Sequence, residues 1–414
     1  MKNYMFLVLA VITFTAQAQE KAERQTLIYE AAVARLNTHP SLEAAREGVL
    51  SYKHAALGAG ALPDPMITLG LNNYPADGSG GFDRFAMSSK SIELSQSIPN
   101  FGVRASSVEA KEALAAQASI AANYTRAQLI SQLNTAISKQ KRIDAQFKLT
   151  QEDKKLLQQE AAFWSGRLES GESVLDERSR VDAELSQIEA TYAFLDAEKE
   201  ESDAELKRLI GTNYFIELPE LVAIPWPSDI PLYMVLMAEK NVQVARANQR
   251  GAKSAFSPSY EMGLSYAQRE NSGNFDGGDL VSAKVGFTVP IWAKKSQKPK
   301  LHAASAAVKQ AEARLRDTQR IWQKKMQTMN AYIKRTVLTQ KALERKKSSI
   351  QTQVLSLQSA YESGGELHRL IAAKRNLIAL KMELAELEAE YISRVSQYQS
   401  AFQKMPQQAS QTGE

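Results

Sequence analysis

Between Gly102 and Gly166 the chain contains neither glycine nor proline, and no other feature limits its fold as severely. Glycine and proline are the residues least compatible with a helix interior, so the interval reads as one helix over about 102–168. At 1.5 Å per residue such a helix is on the order of 100 Å long. A compact core has no room for a rod of that length, which must lie against others equally long. The interval from about 299 to 361 reads the same way. Each rod is followed by a turn carrying glycine and then by another long helical stretch, 173–210 and 366–403.

The rods belong to a repeat that runs through the chain. "SGGFD" ends in Phe82-Asp83 and "SGNFD" in Phe275-Asp276, and 275 − 82 = 193. The same offset separates Pro65 from Pro258, Gly70 from Gly263, and "ESG" at 169–171 from "ESG" at 362–364. Pro99 and Pro290 differ by 191, as do Phe101 and Trp292, a two-residue slip of the kind loops absorb. Landmarks this regular point to a tandem duplication. The expected organisation is a first structural repeat over 19–216, a proline-rich extended linker over 217–231, a second repeat over 232–403, and a polar disordered tail over 404–414. Each repeat opens with a helix (27–59 and 231–256). A β-hairpin follows, 66–98 and 259–290, and then the pair of long helices.

The hairpin segments alternate with period two, the mark of a sheet with one apolar and one polar face. Ile67, Leu69 and Leu71 oppose Thr68, Gly70 and Asn72, and Ile92, Leu94 and Ile98 oppose Ser91, Glu93, Ser95 and Ser97. In the second hairpin Met262, Leu264 and Tyr266 oppose Glu261, Gly263 and Ser265. Val281, Ala283, Val285, Phe287 and Val289 oppose Ser282, Lys284, Gly286 and Thr288. An ordinary half-buried hairpin has the same pattern, so the strands alone do not show a membrane. The helices that close each repeat carry coiled-coil seams. Val181, Leu185, Ile188, Tyr192 and Leu195 step by four and three, with Ser202, Leu206 and Leu209 in frame, and Leu377, Leu380, Leu384, Leu387 and Tyr391 do likewise.

Composition narrows the setting. Formal net charge is +5, from 51 basic and 46 acidic residues interspersed along the helices. That is the charge of solvated helix faces and not of a nucleic-acid surface, which needs a clustered basic patch with stacking aromatics. With no cysteine, disulfides, thiolate metal sites and cysteine nucleophiles are excluded. Residues 1–18 combine a basic Lys2, an apolar core from Met5 to Phe14, and Ala16-Gln17-Ala18, which predicts a secretory signal peptide. No later stretch is long and apolar enough for a transmembrane helix.

Strands that cross a membrane cannot leave an edge in lipid, and closed membrane barrels need about eight strands or more. If these four cross one, several chains must share a barrel: two would supply eight strands, three would supply twelve. The polar faces would then line its lumen through Thr68, Asn72, Ser91, Glu93, Ser95, Glu261, Ser265, Lys284 and Thr288. Glu93 and Lys284 hold equivalent positions, and solvation by the lumen is the expectation for both, ahead of pairing. Phe101, Trp292 and Tyr74 would sit at the membrane interfaces.

With these parts in place the chain resembles the TolC-like outer-membrane efflux factors over nearly its whole mature length. The resemblance is carried by the duplicated plan, by "LPDPMITLGLNNYP" (62–75) and "SIELSQSIPNFGVR" (91–104), and by the turn motifs "LESGESVLDERSRVDAEL" and "YESGGELHRLIAAKRNLI". The proline-rich segment before the first strand is most similar to the heavy-metal cation-efflux branch. The fold implied is mainly α with a transmembrane β part: a homotrimer whose twelve-stranded outer-membrane barrel, four strands per chain, continues into a periplasmic α-helical coiled-coil barrel.

The implied partners are a periplasmic membrane-fusion adaptor, an inner-membrane pump of the RND type and outer-membrane lipid, with no nucleic acid. The adaptor would dock on the turns, at Ser170, Gly171, Ser173, Val174 and Leu175 and at Ser363, Gly364, Gly365 and Leu367, with Asp176 as a candidate tip constriction. The function implied is a passive exit duct for heavy-metal cations, localised to the outer membrane with a large periplasmic portion. A channel of the same family for drug efflux or type I protein secretion is the alternative, followed by a periplasmic adaptor or coiled-coil interaction protein.

Enzyme chemistry finds no support. His39, His54, His302 and His368 stand isolated, without the paired helical spacing of a metal site. The methionines read as packing residues. No cofactor, metal ligand or catalytic residue is expected.

Overall fold

A computed structural model describes residues 26–76, 81–224, 226, 230–271, 273 and 276–403. The expected signal peptide over 1–18 and tail over 404–414 lie outside the described residues. So do Ser79 and Gly80 of the first loop motif and Ser272, Asn274 and Phe275 of the second.

The chain opens with a short strand β1 (Thr26–Leu27), helix α1 (Tyr29–Arg35), a 3-10 turn (Leu36–Thr38) and helix α2 (Pro40–Gly60). The sequence reading expected one helix over 27–59. Pro40 explains the break: it disfavours helical backbone at the residue before it, and His39 is extended with φ −67° and ψ 132°. Strands β2 (Met66–Asn72) and β3 (Ser89–Ile98) follow, then the rod α3 (Phe101–Glu169) and helix α4 (Leu175–Ile210). After strand β4 (Phe215–Ile216) the order recurs as helix α5 (Tyr233–Ser254), strands β5 (Tyr260–Arg269) and β6 (Leu280–Phe287), rod α6 (Gln297–Glu362) and helix α7 (Leu367–Ser400).

By contacts the chain divides into two units, each drawing on both halves of the sequence. One comprises residues up to Ala44, Asn123–Tyr233 and the residues from Trp322 onward. The other comprises Ala45–Ala122 and Met234–Ile321.

In the first unit, β1 pairs in parallel with β4. Around this ribbon Ala32, Leu36, Leu42, Leu129, Leu133, Ile137, Leu206, Leu209 and Ile216 form a closed apolar core. The seam on α4 is realised at heptad spacing. Val181, Ile188, Leu195, Ser202 and Leu209 are all buried, seven residues apart, as a helix lying along a partner requires. Val181 and Ile188 pack with Leu157, Ala161 and Trp164 of α3.

On α7 the expected seam is realised at Leu380 and Leu384, but Ile371, Ile378, Ile392 and Val395 are buried as well. This helix therefore buries more of its circumference than a two-helix seam requires. The linker is pinned along the C-terminal end of α7. The Tyr398 hydroxyl accepts from the Trp226 amide at 2.7 Å, and Gln399 Nε2 donates to the Val222 carbonyl at 2.8 Å.

Two arginines cross-link three helices of this unit. Arg142 on α3 donates to Glu198 on α4 and to Glu386 on α7, each at 2.8 Å. Arg375 on α7 donates to Asp153 on α3 at 2.7 Å and also to Glu184 on α4. Burial by itself lowers the guanidinium pKa of Arg375. The hydrogen bond to Asp153, and the charges of Asp153 and Glu184, outweigh burial and hold it above its ordinary value.

The second unit carries a four-stranded antiparallel sheet in the order β2-β3-β5-β6. The two hairpins are thus joined edge to edge through β3 and β5, leaving β2 and β6 as the outer strands. At their base Asn100 caps α3 by accepting from the amides of Gly102 and Val103 at 2.9 and 3.2 Å. The same residue donates from its own amide to Ser259 Oγ at 3.1 Å, tying the start of the rod to the second hairpin.

Candidate functional site

The register of the sheet sorts its side chains into two faces. Leu69, Ile92, Tyr266 and Val281 form one cross-strand row, and Ile67, Leu94, Leu264 and Ala283 the next. Further rows bring Met262 beside Val285 and Tyr260 beside Phe287. These side chains are exposed, Leu69 to 77%, Val281 to 73% and Ile67 to 66%. A contiguous apolar surface spanning four strands is far from a scatter of single exposed residues.

The opposite face is small and polar. Thr68 lies across from Glu93, Asn72 from Ser89, Glu93 from Ser265, and Ser265 from Ser282. Asn72 Nδ2 donates to Ser91 Oγ at 2.9 Å. Ser91, Ser95 and Glu261 stand on this face by register. Thr288 lies one residue past β6 and closes the hairpin base, accepting from the Ser259 amide at 2.9 Å through its hydroxyl.

One expectation is corrected here. Glu93 and Lys284 are not separately solvated, because Lys284 Nζ donates to Glu93 Oε2 at 3.0 Å. The pair reaches across the intervening strand β5 above Gly263. A Cβ there would stand 3.2 Å from Glu93 Oε1 and 3.8 Å from Lys284 Cβ. The gap left by the missing side chain is what admits the contact.

Phe101 and Trp292 follow the strand-ending prolines and are exposed to 76% and 71%. Tyr74 packs on Phe82 with ring centroids 5.1 Å apart, and Lys90 Nζ lies 4.7 Å above the Phe82 ring. The described part of the first loop is therefore folded onto the end of its own hairpin.

The two glycine turns share one hydrogen-bond pattern. The Gly171 amide donates to Leu168 O at 3.0 Å and the Glu172 amide to Arg167 O at 3.1 Å. Likewise Gly364 donates to Tyr361 O at 3.0 Å and Gly365 to Ala360 O at 2.9 Å. This paired closure satisfies the last carbonyls of each rod and needs a left-handed residue at its centre. Gly171 and Gly364 supply it with φ of 86° and 95°. Ser170, Ser173, Leu175, Asp176 and Ser363 are exposed, while Val174 and Leu367 are half-buried, Val174 against the Leu157–Trp164 cluster.

Sequence reasoning missed what joins the turns. The Trp164 ring lies 6.0 Å from that of His368 at the start of α7. Arg180 donates to Glu160 beside it at 2.7 Å. The single signal available was Trp164, a bulky aromatic one turn before the end of the rod.

His39 is buried and accepts from the Ser41 amide at 3.2 Å. Among the described residues no group of three or more histidines and carboxylates could hold a metal ion, and no helix is long and apolar enough to cross a membrane.

No protein-family model matches the sequence, and no curated protein matches it either. Solved structures do. Structures of CusC, which concern conformational changes accompanying folding and transmembrane channel formation, match over 90% of this chain and 91% of theirs, with a TM-score of 0.72 at 16% identity. A membrane protein from Pseudomonas aeruginosa matches over 89% of each chain, with a TM-score of 0.74 at 19% identity. The chain has the fold of outer-membrane channels. The outer membrane protein VceC from Vibrio cholerae extends the set, at 0.72 and 14% identity over 89% of this chain and 95% of that one. The expected class, mainly α with one four-stranded β part per chain, is the one observed, with the short β1–β4 pair in addition. The scores are similar across these proteins and single out none of them.

Proposed function

We propose that the protein is a passive outer-membrane exit channel of a tripartite efflux system, with a large periplasmic portion, and not an enzyme. The observation that carries this reading is the sheet. Its four strands expose a continuous apolar face and leave β2 and β6 as outer strands. A lipid-facing edge is not tolerated, so copies of the chain must close the barrel together. Three copies give twelve strands, the assembly that the resemblance implies.

In that assembly the apolar rows face lipid and the rows of Thr68, Asn72, Ser91, Glu93, Ser95, Glu261, Ser265 and Lys284 face the lumen, with Thr288 at its rim. Phe101, Trp292 and Tyr74 take the membrane interfaces. The long helices form the periplasmic tube. The turns at Ser170–Leu175 and Ser363–Leu367 receive a periplasmic adaptor, and Asp176 stands at their mouth. The resemblance of residues 62–75 to the heavy-metal branch supports metal cations as the exported substrate and an RND-type pump as the energy source.

Deleting the gene tests the reading. The expected outcome is sensitivity to divalent or soft metal ions, measured as growth inhibition and restored by the wild-type gene. Unchanged metal tolerance with raised drug sensitivity assigns a drug substrate instead. A protein found only as a soluble periplasmic monomer overturns the channel itself.

A further inference from the structure

We propose that Lys284 sets the ion preference of the channel wall by neutralising Glu93 across Gly263. The inference rests on the channel reading above and adds to it a residue that governs selectivity.

Neighbouring strands lie about 4.8 Å apart, so residues on β3 and β6 are separated by roughly two such spacings, with β5 between them. A side chain on β5 would ordinarily stand between them. Here the residue opposite Lys284, and diagonal to Glu93, is Gly263. The space its missing Cβ leaves is filled by the Glu93 carboxylate, which meets the Lys284 ammonium at 3.0 Å.

Ser91 and Ser95 flank Glu93 on its face, Thr68 and Ser265 lie opposite it, and Ser282 and Gly286 flank Lys284, while Glu261, diagonal to Lys284 on β5, is a further carboxylate on this face. Within the pair, one negative and one positive charge stand together and cancel. Both partners are partly exposed, and a pair in that setting adds little to stability. Its effect is on the field. In a water-filled passage with low-dielectric walls, uncompensated charge of one sign concentrates the opposite ion, and the pair suppresses this. Removing Lys284 shifts the wall by one charge per chain toward negative and leaves Glu93 uncompensated. Removing Glu93 shifts it by one charge per chain toward positive and frees the Lys284 ammonium.

Reversal potentials in planar bilayers test this, with the full-length protein, a KCl gradient and salt near 0.1 M or below, where the screening length is about 10 Å or more. Wild type, Lys284→Gln, Glu93→Gln and the double variant are compared, each first shown to form the wild-type oligomer. Lys284→Gln is expected to shift the K+ over Cl− permeability ratio several-fold toward cations, Glu93→Gln several-fold toward anions, and the double variant to return to wild type. Conducting channels with one reversal potential in all four forms overturn the assignment. Absence of conductance by the wild type overturns the channel reading, and the assignment with it.

Discussion

Single residues decide how the rods end. Gly171 and Gly364 hold the left-handed conformation in matching turns, and a side chain there is strained whatever the space around it. Gly364→Ala is expected to weaken its turn by about 1 kcal/mol, read as faster hydrogen exchange of the Gly365 amide, which donates at 2.9 Å across it. Gly166 provides the contrast. It lies inside α3, and a Cβ there would meet nothing within 4 Å. Gly166→Ala is therefore expected to stabilise by roughly 0.5–1 kcal/mol. The two turns were legible in advance because "ESG" occurs twice at the offset of the repeat. The Glu93–Lys284 contact was not, because nothing local states that a strand from the other hairpin, with glycine at the facing position, lies between them.

At the scale of elements, the seam on α4 was visible as a step of four and three, and burial follows it from Val181 to Leu209. The second seam was read too narrowly. Helix α7 is clasped from several sides, so Ile371, Ile378 and Ile392 are buried off the expected stripe. The break before α2 was written in Pro40 and passed over, since the apolar pattern continues on both sides.

Charge also ties the helices to one another. Arg375 binds Asp153 and Glu184 on two other helices, and both carboxylates are largely withdrawn from solvent. Removing the arginine strands Asp153, while Glu184 keeps its pair with Arg180 at 2.6 Å. Arg375→Ala is expected to destabilise the detergent-solubilised protein by roughly 1.5–3 kcal/mol in denaturant titration followed by circular dichroism. Lys347→Ala, which breaks an i,i+3 pair with Glu344 on the surface of α6, is expected to change stability by less than about 1 kcal/mol.

For the whole molecule, the faces of the sheet decide the environment. Leu264 and Ser265 are neighbours in β5 on opposite faces. In the channel reading one meets lipid and the other water. An arginine on the lipid face costs about 2–4 kcal/mol near the bilayer midplane, and far less in the lumen. Leu264→Arg is expected to abolish heat-resistant oligomers in outer-membrane fractions, whereas Ser265→Arg retains them. Equal loss in both variants, or in neither, contradicts the assignment of the faces. The low identity to the solved structures that share this fold, 14–19%, fits a plan that depends on apolar period and length more than on particular side chains.

The sequence by itself determined the local elements: rods without glycine or proline, strands of period two, glycine turns, and the recurrence of all three at one offset. These depend on the backbone preferences of neighbouring residues, which hold wherever the segment lies. Only the tertiary structure decided that β3 pairs with β5, that Arg142 and Arg375 each cross-link three helices, and that Lys284 meets Glu93 over Gly263. Apart from Arg142 with Glu198, 56 positions away, the contacts of the second and third cases join residues 191 to 244 positions apart, where alternation and composition are the same for many possible partners. Selection among them comes from strand register and from the one small residue that leaves room.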